Sequence, residues 1–257
     1  MNQDFSFNGV NASTKYFELG RYFDSMPEQA ETIIDMPDDG DLQASKKFKS
    51  KIIPVNGVLY ANSSAELITR IQDFLDYLRY DTDVRLIFND KADRYYNAQY
   101  LDSMELGERG IFVPMELRFK CNKPFAYGIT AITDHQDITV NETTYLINNT
   151  GHYYAYPVIT ITFNQPQTHI YVENNSFLNN RFDISKSFVA TDVLVVDCKA
   201  KTIFLNSAHN PAGFGTGGSA LAKWIVFAKG NNQLEIGTDD GTIDVDIDIS
   251  FEPVYYY

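Results

Sequence analysis

Residues 63–80, Ser63-Ser64-Ala65-Glu66-Leu67-Ile68-Thr69-Arg70-Ile71-Gln72-Asp73-Phe74-Leu75-Asp76-Tyr77-Leu78-Arg79-Tyr80, carry apolar side chains at three- and four-residue spacing. Leu67, Ile68, Ile71, Phe74, Leu75 and Leu78 fall on one stripe, which predicts an amphipathic helix over about 64–80. Ser63 followed by Glu66 reads as a capping box, each side chain answering a backbone amide that the first turn leaves free. On both sides the period changes to two. Before the helix, Lys51 to Tyr60 (KIIPVNGVLY) is extended; after it come Val84 to Phe88, Tyr95 to Leu106 and Ile111 to Cys121. In the last of these, Met115, Leu117, Phe119 and Cys121 alternate with Glu116, Arg118 and Lys120, the pattern of a half-buried strand. Residues 1–125 therefore read as an α+β domain with a single helix.

Residues 126–257 show no helical stripe. Val158 to Phe163, Thr168 to Glu173, Val193 to Cys198, Thr202 to Leu205, Trp224 to Ala228 and Gln233 to Ile236 are short strand signals. Lys229-Gly230-Asn231-Asn232 and Asp240-Gly241 separate them as turns. Ile243, Val245, Ile247, Ile249 and Phe251 then alternate with Asp244, Asp246, Asp248 and Ser250. Strands at this spacing without intervening helices predict a β-sandwich, so the whole chain is mainly β with one helix.

Composition narrows the function. At 257 residues, 44% hydrophobic and 21% charged, the chain is an ordinary globular mix. A formal net charge of −13 and a pI near 4.6 repel phosphate backbones and anionic lipid, which argues against nucleic acid and membrane surfaces as partners. The longest apolar run, Trp224 to Ala228, is far short of the roughly 20 residues a membrane helix needs. Met1 to Val10 contains Asp4 and has no basic, apolar leader pattern, so synthesis in the cytoplasm without a signal peptide is expected. Cys121 and Cys198 make neither a disulfide framework nor a zinc spacing.

The letters of a dinucleotide fingerprint occur at Gly213-Phe214-Gly215-Thr216-Gly217-Gly218, but a strand follows where a helix N-terminus is required, so a loop is expected. The acids Asp239, Asp240, Asp244, Asp246 and Asp248 lie along a strand, where same-face side chains stand about 6.7 Å apart and cannot converge on one calcium ion. They read as a solvated face that also discourages edge pairing. His135, His152, His169 and His209 have no paired ligand spacing, and Cys198 with His209 would meet only by accident of folding. No catalytic residue, cofactor site or metal site is expected. Trp224 and Tyr154 are the candidate sugar platform, Trp224 reading first as a core residue on one face with Val226 and Ala228.

Several stretches resemble, in order, the distal tail proteins of long-tailed phages that infect Gram-positive bacteria. They are Phe5 to Val10 with Tyr16 to Gly20, Ala61 to Glu66, Leu86 to Asp90 with Asp93 to Ala98, Leu117 to Tyr127, Gly151 to Ile161, and Lys223 to Asn232. The resemblance implies a structural virion protein of the tail tip with no reaction to catalyse. A first domain, 1–125, would close a hexameric ring, and a galectin-like second domain, 126–257, would project from it. The ring would join the tail tube protein to the tail-associated lysin or fibre and carry the receptor-binding protein. Where the family often has a Pro-Gly-Arg-type segment, this chain has Asp35 to Gly40 and then Lys46, Lys47, Lys49 and Lys51, a basic cluster in an acidic chain, read as a ring-facing loop. The alternative is a carbohydrate-binding module that meets a host-surface saccharide through the second domain. A glycosidase, the third option, needs two carboxylates about 5–10 Å apart in a cleft.

Overall fold

A computed structural model of the chain describes residues 3–35, 41–105, 110–176, 180–209 and 224–257. The Gly213–Gly218 stretch lies outside them. The chain divides into two units, Met1–Ile129 with Tyr255–Tyr257, and Thr130–Val254. The last three tyrosines, set with the second domain on sequence, thus count with the first unit.

The first unit runs β1 (Phe5–Phe7), β2 (Val10–Asn11), β3 (Phe17–Tyr22), β4 (Gln29–Asp35), β5 (Asp41–Phe48), β6 (Lys51–Tyr60), α1 (Ser64–Leu78), β7 (Val84–Phe88), β8 (Arg94–Glu105), β9 (Phe112–Cys121) and β10 (Ala126–Gly128). The strands pair antiparallel in the order β2-β1-β7-β8-β9-β6-β3, with β10 on β8. Alternation sets which side chains turn inward: Ile53, Val55 and Leu59 of β6 and Val113, Met115, Leu117 and Phe119 of β9 are fully buried. Their core closes with Phe5, Phe7, Phe17 and the helix. Gly57 faces the same way because Phe17 needs its space; a Cβ there would stand 2.2 Å from the Phe17 ring.

Helix α1 starts as expected, with Ser63 Oγ accepting from the Glu66 amide at 3.2 Å. The return bond goes one residue further back, from the Asn62 amide to Glu66 Oε2 at 3.0 Å. The stripe is displaced from its predicted centre. Ile68 is 57% exposed, while Tyr77 is buried and its hydroxyl accepts from the Phe7 amide and donates to the Val10 carbonyl. Tyr77 reads as polar in a hydropathy count, yet its ring is core and its hydroxyl finds backbone partners.

Of the stretch read as a ring-facing loop, residues 36–40 lie outside the described ones, and the residues on either side of them form a ribbon. β4 and β5 pair from Gln29↔Phe48 to Asp35↔Asp41 and form a two-stranded sheet of their own. The sequence of these strands has no sustained two-residue alternation to announce them, so pairing reveals them.

The second unit contains β11 (Ile132–Ile138), β12 (Thr143–Asn149), β13 (Val158–Phe163), β14 (Gln167–Asn174), β15 (Arg181–Phe188), β16 (Val193–Asp197), β17 (Thr202–Leu205), β18 (Ala208–His209), β19 (Gly230–Gly237), β20 (Val245–Phe251) and the start of β21 (Val254–Tyr255). One sheet has the order β11-β20-β13-β16-β17-β18 and the other β12-β19-β14-β15. Ile159, Ile161, Val245, Ile247 and Ile249 of the first share a core with Ile170, Val172, Leu234 and Ile236 of the second, which makes a β-sandwich. β20 lies between β11 and β13, so its acidic face protects no edge, contrary to the expectation.

The Trp224–Ala228 segment also corrects the sequence reading. Ile225 and Phe227 are the fully buried residues, Val226 and Ala228 are half-buried on the other side, and Trp224 is half-buried but still packs against the core. Its ladder is one bridge, Ala155↔Phe227. Buried asparagines replace the missing strand partner. Asn180 bonds both the Trp224 carbonyl and the Val226 amide at 2.9 Å, Asn174 bonds the Val226 carbonyl, and Asn232 bonds Ala228 on both its amide and carbonyl.

Candidate interaction surfaces

The basic cluster does not act as one patch. Lys51 is buried at the start of β6, where its ammonium and that of Lys91 meet the Asp24 carboxylate, which also accepts from the Tyr96 hydroxyl at 2.6 Å. Burial works to raise the Asp24 pKa, but the hydrogen bonds from Lys51, Lys91 and Tyr96 outweigh it and hold the carboxyl below its ordinary value. Burial pushes the Tyr96 hydroxyl up and the neighbouring Cys121 thiol up to about 12, so the thiol is inert. Lys51 is therefore a structural cation rather than a contact residue. Lys49 pairs with Glu28 at 2.7 Å and Lys47 is exposed. Lys46 stands on β5 opposite Glu31, and its side chain lies outside the described ones. Glu28 and Lys49 thus close the root of the β4–β5 ribbon, and Asp24 ties the chain just before it to the main sheet through Lys51 and Tyr96.

The outer face of β3, β6 and β9 is the surface that sequence reading missed. In an antiparallel sheet with one buried face, the other face is ordinarily polar. Here Ile52, Tyr60 and Phe112 are exposed, and Pro54, Val58 and Pro114 are half-buried beside them. Register places Tyr60 opposite Phe112 and Ile52 opposite Lys120, while the Phe23 amide bonds the Pro54 carbonyl. Phe23 is 51% exposed and lies 5.1 Å from the Arg21 guanidinium. At the Tyr60 end, Tyr16 packs edge-on against Tyr60 and lies under Arg70 at 3.4 Å. The signal was legible in KIIPVNGVLY, which is apolar at nearly every position, the pattern of a strand covered on both faces.

In the second unit, Tyr154 and Tyr156 are exposed on either side of the buried Ala155. The Ala155↔Phe227 bridge sets them on the same side of the chain as Val226 and Ala228, with Trp224 at the end of that row. The outer face of β14 and β15 is tied up internally. His169 Nδ1 accepts from the Asp239 amide at 3.1 Å, so Nε2 is left to donate to Asp183 at 2.6 Å. Arg181 bonds Asp183 and covers the Tyr171 ring at 3.6 Å. Tyr171 itself donates to Glu235, and Gly237 makes room for it, since a Cβ there would lie 2.5 Å from the Tyr171 hydroxyl. On the opposite sheet, exposed His135 sits between Asp248 at 2.7 Å and Asp137 at 3.0 Å, and the bond to Asp248 leads in raising its pKa.

Cys198 is buried and its thiol is pushed up to about 12 by desolvation. Among the described residues no three His, Cys, Asp or Glu side chains converge as metal ligands, and no helix is long and apolar enough to cross a membrane.

Two family models match the chain: the phage tail protein RIFT-related domain over residues 13–121 and the siphovirus-type tail component, C-terminal domain, over residues 150–255. No curated protein sequence matches it. Among solved structures, the crystal structure of the Dit protein of phage SPP1, described as a paradigm of the hub adsorption apparatus in phages infecting Gram-positive bacteria, superposes with a TM-score of 0.80. That likeness has 19% identity and covers 98% of this chain and 99% of the other, which establishes a shared fold. A chain of the phage P2 baseplate in its activated conformation aligns over 97% of this chain and 98% of its own at 8% identity and a TM-score of 0.44.

Proposed function

The chain belongs to the siphovirus-type tail component family of distal tail proteins, and from that premise we propose that it is the hub of a phage tail tip, a hexameric ring closed by its first domain. The family is one of structural tail and baseplate proteins, and the chain is a tail component of the virion. In this reading domain 1–125 makes the ring, and the galectin-like domain 126–257 projects from it. The ring joins the tail tube protein to the tail-associated lysin or fibre and carries the receptor-binding protein.

The observation that carries this reading is the β4–β5 ribbon. A two-stranded ribbon by itself is marginally stable in water, and this one forms a sheet separate from the rest of its unit. A neighbouring subunit would pack against such a ribbon, and exposed Lys47 suits an acidic neighbour. Light scattering and negative-stain imaging of the same peak test it. Six chains of 29.2 kDa give about 175 kDa and a ring. A particle that stays monomeric both alone and with the tail tube protein overturns the ring.

A second reading, saccharide binding at Trp224 and Tyr154, is supported by the exposed row of Tyr154 and Tyr156 leading to half-buried Trp224. Trp224 is the sole tryptophan, so its fluorescence reports directly on that site. No change on titration with cell-wall saccharides counts against it.

A further inference from the structure

We infer that β12 is an open sheet edge that pairs with β12 of a second copy of this chain, antiparallel about a twofold axis at Leu146. The inference goes beyond the ring reading and does not depend on it.

β12, Thr143-Thr144-Tyr145-Leu146-Ile147-Asn148-Asn149, stands at the end of its sheet and pairs with β19 over seven consecutive residues without a register shift. Along such a strand alternate residues turn their amide and carbonyl away from the neighbour, which leaves a straight row of donors and acceptors. Proteins blunt an edge of this kind with short strands, charges or bulges. The other edge strands among the described residues follow that rule. β2, β18 and β21 have two residues each. β3 carries Glu18 and Arg21 and a register shift, β11 carries Asp134 and Asp137, β15 carries Arg181 and Asp183, and both ribbon strands are charged. β12 has no charge, proline or glycine, and its Thr, Tyr and Ile side chains favour extended pairing.

The order of residues selects a copy of the same strand as the occupant. Antiparallel pairing centred on Leu146 sets Leu146 opposite its own copy, Thr144 opposite Asn148 of the second copy, and Tyr145 opposite Ile147 of the second copy. On the outer face Leu146, 64% exposed, meets an apolar partner, flanked on both sides by exposed Thr144 and Asn148. On the inner face Tyr145, half-buried against the core, meets the core residue Ile147, so the apolar layer continues across the junction. The strand is therefore self-complementary, which is what an isologous twofold contact requires.

Charge selects in the same direction. Copies of a chain with a net charge of −13 repel one another unless they meet along an uncharged stripe, whereas a basic partner is drawn to acidic strands such as β11. The pairing is also finite. Two four-stranded sheets joined through β12 make one of eight strands that ends at both sides on β15, whose charges and irregular pairing with β14 discourage further addition. A closed pair results rather than a fibre.

The test uses the full chain with Leu146→Lys and Leu146→Glu. Leu146 is exposed, so circular dichroism and melting of both variants should match the parent. The twofold contact doubles whatever particle the chain otherwise makes, a dimer from single chains or a double ring from a ring. In sedimentation velocity up to about 1 mM protein, each variant alone sets a like charge opposite itself and should pair at least about tenfold more weakly than the parent. Its particle mass should then be half the parent's. An equimolar mixture of the two should restore the parent mass, because opposite charges then face each other at the axis. Val140→Lys, on a residue 67% exposed just outside the strand, should leave the pairing unchanged.

Parent-like mass in both variants alone overturns β12 as the contact. Loss of pairing in both without recovery on mixing overturns the twofold register, and with it the second copy as the occupant. A parent that stays unpaired at every concentration overturns the inference too, and capture of an extended peptide from another tail protein by the parent but not by Leu146→Lys would assign the edge to that partner. The ring reading is judged separately, by whether the unpaired variants have the mass of one chain or of six.

Discussion

Asp24 shows how much one residue does that its neighbours in sequence do not announce. Its carboxylate, 5% exposed, balances two ammonium groups and accepts from a buried phenol. Removing one partner of a buried pair costs far more than the pair contributes, since the other charge is left desolvated. Asp24→Ala, which strands Lys51, should destabilise the first unit by about 3–5 kcal/mol, read as a shift in the urea midpoint. The pH dependence has a definite sign. Because the folded pKa of Asp24 is depressed, its contribution is complete above the unfolded value of about 3.9 and is lost as pH falls towards the lower folded value. Parent and variant should therefore converge in stability on acidification below about pH 4, and a constant gap down to pH 2 would refute the assignment. Nothing in the spacing of Asp24, Lys51, Lys91 and Tyr96 foretells this cluster. It exists because the start of β6, the turn after β7 and the start of β8 are brought to one point.

Among the elements, those with a period were legible and those without were not. The helix, β9 and β20 announce themselves because one face of each is buried by the fold and the sequence must alternate to suit it. The Trp224–Ala228 segment has strand-like residues, but its backbone partners are mostly side-chain amides rather than a neighbouring ladder. Asn232 supplies both an acceptor and donors to this segment and is itself fully buried. Asn232→Ala leaves buried backbone groups unpaired, at about 1–3 kcal/mol for each group that water cannot reach. A total loss of about 2–4 kcal/mol is expected in the urea midpoint. A change below about 0.5 kcal/mol would mean that the segment does not depend on this bond set.

The whole molecule has two separate apolar cores, one in each unit. Each unit has enough buried side chains to unfold on its own account, so scanning calorimetry should resolve two components rather than one. Asp24→Ala should lower only the component of the first unit and Asn232→Ala only that of the second. In the double variant the two losses should add to within about 0.5 kcal/mol, since the sites share no partner. One cooperative transition displaced by either substitution would show that the units melt as a single body.

The amino-acid sequence by itself determined the kinds of elements, their order and the two-part plan, because helix and strand write their periods into local hydrophobicity. It also carried, in ordered stretches from Phe5 to Asn232, the resemblance to tail proteins that the family models then established. Tertiary structure alone decided that Tyr77 rather than Ile68 is core, that Lys51 is an internal cation, that residues 29–48 include a paired ribbon, and which face of Trp224–Ala228 is buried. Each of these turns on contacts between residues far apart in the chain, and a local pattern encodes which side of an element is apolar without encoding what that side will meet.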